Sequence, residues 1–138
     1  MRVAVVDGQG GGIGKLIIEK LRKTMGENIE ITALGTNALA TALMLKAGAD
    51  QGASGENAIC VTVKKMDVVL GPIAIIVANS MLGEITPKVA MAIAEADAEK
   101  VLMPLNKSKI TIVSSYNEPL PHLVEMMVKK VEEIRKRG

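Results

Sequence analysis

The sequence has 138 residues, 49% of them hydrophobic, and a formal net charge of +2 from 17 basic and 15 acidic residues. This near-neutral charge, with one Tyr and no Phe or Trp, argues against the basic, aromatic-lined surface of nucleic-acid-binding proteins. A single cysteine excludes an intrachain disulfide and a cysteine-based metal cluster.

The length fits one domain, residues 1–138, with a core of Val, Ile, Leu, Ala and Met suited to a parallel sheet covered by helices. The longest apolar run, residues 73–78, is too short to cross a bilayer. The chain begins directly in an apolar strand, without a basic leader or a signal-like stretch. We therefore expect a cytoplasmic protein with no membrane partner.

The beginning of the chain combines a strand, a glycine-rich turn and a helix. Residues 2–7 form an apolar run typical of a central parallel strand, and five glycines follow within residues 8–14. From residue 14, apolar side chains recur every three or four positions, which predicts an amphipathic helix. Glycines at such a turn allow close approach of a ligand to the backbone, and a helix N-terminus favours an anion.

The glycine spacing resembles that of short-chain dehydrogenases, whose turn reads Gly-x-x-x-Gly-Ile-Gly, and residues 8–14 match that pattern. Those enzymes also carry a Tyr-x-x-x-Lys pair, whereas here Leu120 stands four residues after Tyr116. We therefore do not expect hydride transfer by that pair of residues.

A P-loop is approached by Gly14 and Lys15, but Gln9 replaces its first glycine and Leu16 replaces its magnesium-binding hydroxyl. A degenerate P-loop phosphotransferase is therefore the weakest of the functional alternatives. A turn that only packs the helix against its strand is a further alternative. The candidate ligand-binding residues here are Asp7, Gly8, Gln9, Gly10, Gly11, Gly12, Ile13, Gly14 and Lys15.

Residues 29–34 read as the second strand, followed by Gly35, Thr36 and Asn37. In a dinucleotide-binding fold, an acidic residue after this strand bonds the adenosine ribose, but no carboxylate stands here. Thr36 and Asn37 can bond a ribose, and they also suit the N-cap of a helix over 38–47 with Leu39 and Met44 inward. We favour the cap and keep both residues as candidate ligand contacts.

Residues 48–53 read as a short strand or turn, and Ser54 as the cap of a helix to about Lys65 that buries Cys60. Residues 67–72 read as a fourth strand, whose exit at Gly71 and Pro72 lies at the same sheet edge as the first turn.

Residues 73–78 suit either a strand or the first turns of a buried helix. Asn79 and Ser80 follow in an apolar setting, where they either tie down a loop or face a ligand. Thr86 and Pro87 begin a helix to about residue 96 that is apolar on nearly every face, which predicts a homodimer or higher homo-oligomer.

Residues 101–105 predict a fifth strand, and the polar turn at 106–109 predicts an antiparallel edge strand over 110–113. A loop with Tyr116 precedes a final helix from Pro121. Glu84 and His122 are further titratable residues near the expected ligand edge; a lone histidine is more often structural. No set of catalytic residues and no metal site can be read from the sequence.

Three blocks resemble a family of bacterial proteins classed as a domain of unknown function. They are the glycine turn with its strand, residues 33–38 and residues 78–87, and the resemblance covers nearly the whole chain. It implies no activity.

We expect an α/β, Rossmann-like, three-layer domain with a mostly parallel sheet and an antiparallel edge strand. We expect it to bind a nucleotide, with NAD(P) among the candidates, or another phosphorylated small molecule. The alternative is an oligomeric interaction protein with a purely structural glycine loop.

Overall fold

A computed structural model describes residues 1–105, 109–113 and 118–138. Within these residues, a five-stranded sheet has the order β3-β2-β1-β4-β5, and every strand pairing is parallel. The strands are β1 (Arg2–Asp7), β2 (Glu30–Gly35), β3 (Gln51–Ser54), β4 (Val68–Pro72) and β5 (Glu99–Met103).

Helices cover both faces of the sheet. They are α1 (Gly12–Met25), α2 (Ala38–Ala47), α3 (Glu56–Thr62), α4 (Pro87–Glu95) and α5 (Leu120–Arg137), and short 3-10 helices span Gly26–Asn28, Val63–Lys65 and Ile73–Ile76. One layer of the core joins β1 to α1, α2 and α5, and the other joins it to α3 and α4. The expected Rossmann-like α/β architecture is confirmed. No helix in the described ranges is long and apolar enough to cross a bilayer.

Strand β1 is apolar at successive positions because both of its faces are covered. Val3 and Val5 belong to the layer with α1 and α5, whereas Ala4 and Val6 belong to the layer with α3 and α4, and all four are fully buried. A strand that contacts helices on both faces cannot alternate apolar and polar residues. The apolar run in the sequence therefore identified the central strand correctly.

The strand order places the beginning of the chain at the point where the sheet reverses its winding. From β1 the chain moves outward through β2 to β3, then crosses to β4 on the opposite side of β1. The connections after β1 and β4 therefore diverge at the carboxyl edge, where open α/β sheets bind ligands. Residues 8–14, called the glycine loop below, follow β1 at this point.

The predicted antiparallel edge strand is wrong. Residues 110–113 lie outside every strand, and Val113 is 87% exposed. The short polar turn allowed a hairpin, but an edge strand also needs a buried face, and this segment instead leads to α5, which covers the sheet beside α1. Residues 106–108 of the predicted turn and Tyr116 lie outside the described residues.

Two smaller expectations also differ from the structure. Leu39 is 69% exposed, because α2 turns Ala40, Thr41 and Met44 inward instead. Gly55, rather than Ser54, precedes α3 as its N-cap, and the Ser54 hydroxyl donates to the Thr41 hydroxyl at 2.7 Å.

The helix α4, expected to be apolar all round, buries one face in this chain. Val89, Ala90 and Ile93 are buried, whereas Met91 is 56% exposed. The homo-oligomer inferred from this helix stays a prediction.

Candidate functional site

The side chain of Asp7, at the end of β1, lies inside the turn formed by the glycine loop. It is 3% exposed, and its carboxylate accepts from the Gly8 amide at 2.8 Å and from the Gly14 amide at 2.7 Å. Burial raises the pKa of Asp7 above its ordinary value, while the hydrogen bonds from Gly14, Gly8 and Ile13 act in the opposite direction. The carboxyl oxygens of Asp7 therefore serve as internal acceptors for the amides around them.

Three of the five glycines in the loop are required by close packing. A Cβ on Gly8 would lie 2.6 Å from the Thr36 hydroxyl, and a Cβ on Gly14 would overlap the sulfur of Met44. Gly11 has φ 75°, and its Cβ would lie 2.8 Å from the Cα of Ala40. The side-chain-free backbone at these positions is thus explained by contacts within the chain.

Gly10 and Gly12 differ from the other three glycines because they remain open. Both are exposed, and a Cβ at either would meet no atom within 4 Å. Within the described residues neither amide has a hydrogen-bond acceptor, whereas the Gly11 amide donates to the Gly8 carbonyl and the Lys15 amide to the Gly11 carbonyl. Gly12 is the first residue of the 14-residue helix α1, so its amide carries the partial positive charge of a helix N-terminus.

The side chain of Glu84 lies against the other end of the glycine loop. One carboxylate oxygen, Oε1, accepts from the Gln9 amide at 2.8 Å, from the Thr36 hydroxyl at 2.5 Å and from the Asn37 side-chain amide at 2.9 Å. These hydrogen bonds, that of Thr36 first, lower the pKa of Glu84 below its ordinary value. The second oxygen, Oε2, has no partner among the described residues, so an ionised carboxylate keeps one free acceptor at this edge.

Asn37 connects α2, Gln9 and Glu84. Its side-chain oxygen accepts from the Ala40 amide at 2.9 Å, which confirms the predicted N-cap of α2. Its side-chain nitrogen donates to the Gln9 carbonyl at 3.0 Å as well as to Glu84. Both groups of the side chain are therefore engaged within the chain, and Asn37 positions its neighbours.

The segment at residues 77–84, the 77–84 loop, delivers Glu84 through an unusual backbone. Asn79, Met81 and Leu82 have φ of 66°, 55° and 56°, and Gly83 has φ of 91°. Left-handed residues other than glycine are disfavoured by contacts of Cβ with the backbone. The loop is fixed where the buried Ser80 hydroxyl donates to the Ala74 carbonyl at 2.6 Å. This turn brings Glu84 back over Gly8.

The remaining candidate residues lie next to this loop. Gly71 is buried, and its Cβ would lie 2.6 Å from the Val6 carbonyl oxygen. Pro72 is buried at the end of β4, and the backbone amide of the exposed Asn79 donates to the Ile85 carbonyl at 2.7 Å. The structure thus gives these residues, like Ser80, a role in packing or in shaping the loop.

The sequence placed no carboxylate after β2, but the structure supplies one from 48 positions further along the chain. No local spacing links Thr36 to Glu84; only the polar character of residues 79–84 within an apolar region marked the segment. The other titratable candidate, His122, pairs at 2.5 Å with Glu118 at the exposed start of α5. Lys15 is exposed in the first turn of α1.

Comparison with known proteins gives one family and one solved structure. The model of a family described as a domain of unknown function (DUF3842) matches residues 2–136. No curated protein matches the chain. The structure of apo histidine-tagged saccharopine dehydrogenase (L-Glu forming) from Saccharomyces cerevisiae aligns with 91% of this chain and 24% of that one, at 18% identity and a TM-score of 0.49. This chain thus spans about a quarter of the length of that enzyme.

Proposed function

This chain belongs to the DUF3842 family of domains of unknown function, and we propose that it binds a phosphorylated small molecule, foremost a nucleotide, at the carboxyl edge of its sheet. NAD(P) is among the candidates. The phosphate contacts the amides of Gly10 and Gly12. The single observation that carries the proposal is the presence of these two exposed amides, without acceptors in the described residues, at the N-terminus of α1.

The position of these amides in the fold supports an anionic ligand. They follow β1 at the reversal of the sheet, between connections that diverge. A phosphate oxygen there satisfies donors that otherwise bond water, and it interacts favourably with the dipole of α1. The exposed Lys15 adds a positive charge within the first turn of this helix.

The negative charge of Glu84 restricts where the phosphate can bind. The donors from Gln9, Thr36 and Asn37 already point at this carboxylate, so a phosphate placed there would meet a like charge. The anion therefore binds on the side of Gly10 and Gly12. Thr36 and Asn37 support the site through Glu84.

A screen by thermal shift tests the proposal. NAD⁺, NADP⁺, ATP, GTP, sugar phosphates and inorganic pyrophosphate are compared at millimolar concentration, and a bound ligand raises the unfolding midpoint by mass action. Gly12→Val introduces a side chain into open space and is expected to abolish the shift while leaving the fold intact. Flat responses to every ligand would contradict the proposal.

The packing of Gly8, Gly11 and Gly14 favours a second candidate, an interaction protein whose glycine loop is structural. Its partner is a second copy of the chain, and the exposed Met91 on α4 is one apolar side chain available for such a contact. Light scattering tests it: this candidate requires a dimer or larger assembly and no response to phosphorylated ligands.

A further inference from the structure

We propose that Glu84 makes this site specific for a ribonucleotide whose 2′-hydroxyl is free, because its carboxylate accepts a hydrogen bond from the ribose. This inference rests on the proposed binding of phosphate by Gly10 and Gly12. It identifies the class of ligand and the residue that selects it.

The first step is the fixed orientation of the carboxylate. Three donors from two parts of the chain, Gln9 and the adjacent Thr36 and Asn37, converge on Oε1. Because all three hydrogen bonds end on the same oxygen, the carboxylate cannot rotate without breaking several of them. Preorganised groups of this kind bind a ligand with a smaller loss of conformational entropy.

The second step is the free acceptor. Oε2 of Glu84 has no partner among the described residues, and the side chain is half-buried rather than fully solvated. An ionised carboxylate accepts hydrogen bonds and cannot donate them. The complementary group on a ligand is therefore a donor, such as a sugar hydroxyl, and a second anion at this position is repelled.

The third step is adjacency. The Gln9 amide donates a hydrogen bond to Glu84, and the amide of the next residue, Gly10, has no acceptor among the described residues. Acceptor and anion-binding donors thus lie side by side along the glycine loop, close to the end of β2. A ribose 5′-phosphate carries the complementary groups side by side, hydroxyl donors for the acceptor and an anion for the amides.

This arrangement also accounts for the missing acid after β2. In dinucleotide-binding folds, a carboxylate at the end of that strand bonds the ribose hydroxyl. Here Thr36 and Asn37 occupy the positions after β2, and both donate to a carboxylate brought in by the 77–84 loop. The acid is present in space although it is absent from the expected place in the sequence.

Three probes that differ only at the 2′-position test the inference: AMP, 2′-deoxy-AMP and adenosine 2′,5′-bisphosphate, titrated by calorimetry. A hydrogen bond to a charged acceptor predicts that AMP binds about tenfold more tightly than 2′-deoxy-AMP. Repulsion of the added phosphate predicts a larger loss for the bisphosphate. Equal affinity of wild-type protein for all three probes would overturn the inference.

Glu84→Gln keeps the size of the side chain and removes its charge. It is therefore expected to reduce both differences in affinity, that between AMP and 2′-deoxy-AMP and that between AMP and the bisphosphate. Glu27→Gln, at an exposed glutamate beyond the far end of α1, is the matched control and is expected to preserve them. Persistence of the full discrimination in Glu84→Gln would also overturn the inference. Should that variant fail to fold, Thr36→Val removes one donor to the carboxylate and is expected to weaken the discrimination in part.

Inorganic pyrophosphate separates this inference from the proposed function. Binding that is lost in Gly12→Val, together with equal affinity for the three adenosine probes, refutes the role of Glu84 alone. Absence of binding by pyrophosphate and by all three adenosine probes refutes both.

Discussion

The Thr36 hydroxyl donates a 2.5 Å hydrogen bond to Oε1 of Glu84, joining the end of β2 to a loop 48 positions away. This contact divides the carboxyl edge of the sheet into two parts. On one side, the nearby donors are hydrogen-bonded to the carboxylate of Glu84. On the other side, the amides of Gly10 and Gly12 have no acceptor among the described residues.

The stability contributed by Glu84 is expected to depend on pH. Because its hydrogen bonds hold the pKa of Glu84 in the folded protein below its ordinary value, the ionised form favours folding. This contribution is present above the unfolded pKa and is lost as the pH falls through the folded pKa. Urea unfolding of wild type and Glu84→Gln should therefore differ at pH 7 by about 1–2 kcal/mol and converge at acidic pH. A difference that grows on acidification would contradict this prediction.

The pH dependence of stability that Asp7 contributes is expected to have the opposite sign to that of Glu84. Burial raises the pKa of Asp7 above its ordinary value, so stability falls as the pH rises through the interval between the unfolded and folded pKa. Asp7→Asn removes that titration, but it leaves one acceptor oxygen in place of two, so the Gly8 or the Gly14 amide loses its acceptor. Leaving one buried donor unsatisfied costs about 1–3 kcal/mol at pH 7, measurable by urea unfolding. Full stability of the variant would show that the carboxylate is not needed there.

Alanine at Gly14 and at Gly12 should have opposite consequences. Gly14→Ala would force its Cβ against Met44 and within 3.1 Å of the Asp7 Cβ, and overpacking of this kind costs about 1–3 kcal/mol. Gly12→Ala places its Cβ in open space at the first position of α1, so a change of at most about 0.5 kcal/mol is expected. Equal destabilisation of the two variants in urea would be incompatible with the described packing.

Asn37→Asp separates helix capping from the interaction with Glu84. Aspartate can still accept from the Ala40 amide as an N-cap, but it replaces the donor to Glu84 by a second negative charge. We expect a loss of stability at pH 7 that diminishes when Glu84→Gln is added. A double-mutant cycle in urea measures this coupling, and strictly additive losses would contradict it.

Leu82 offers a test of the backbone of the 77–84 loop. It is 98% exposed and has φ 56°, a conformation that costs a branched side chain about 1 kcal/mol and that asparagine tolerates better. Leu82→Asn is therefore expected to raise the thermal midpoint slightly. A lower midpoint would show that the leucine makes a stabilising contact.

The sequence predicted correctly those parts of the fold whose signal lies in one residue or in a few consecutive residues. The apolar run of β1 is explained by burial on both faces, and the N-cap at Asn37 by the side-chain chemistry of that one residue. Hydrophobicity alone predicts that Leu39 faces inward, whereas α2 buries the smaller Ala40 and Thr41. The edge strand over 110–113 failed because turn length says nothing about whether a face will be buried.

The candidate site was predictable only in part for the same reason. Glycine spacing revealed the turn after β1, but it could not separate Gly8, Gly11 and Gly14, which are packed, from Gly10 and Gly12, which are open. That distinction depends on neighbours from α2 and from the 77–84 loop. The contact of Glu84 with Thr36 likewise depends on the tertiary fold, and no periodicity in the sequence encodes it.

The most direct test follows the backbone amides of the glycine loop by ¹H–¹⁵N NMR during titration with inorganic pyrophosphate. The amides of Gly10 and Gly12 are expected to shift progressively and to saturate, while those of Gly8 and Gly14, bonded to Asp7, change little. Gly12→Val should abolish the effect. Unchanged Gly10 and Gly12 signals at millimolar pyrophosphate would contradict the central claim that these two amides bind an anion.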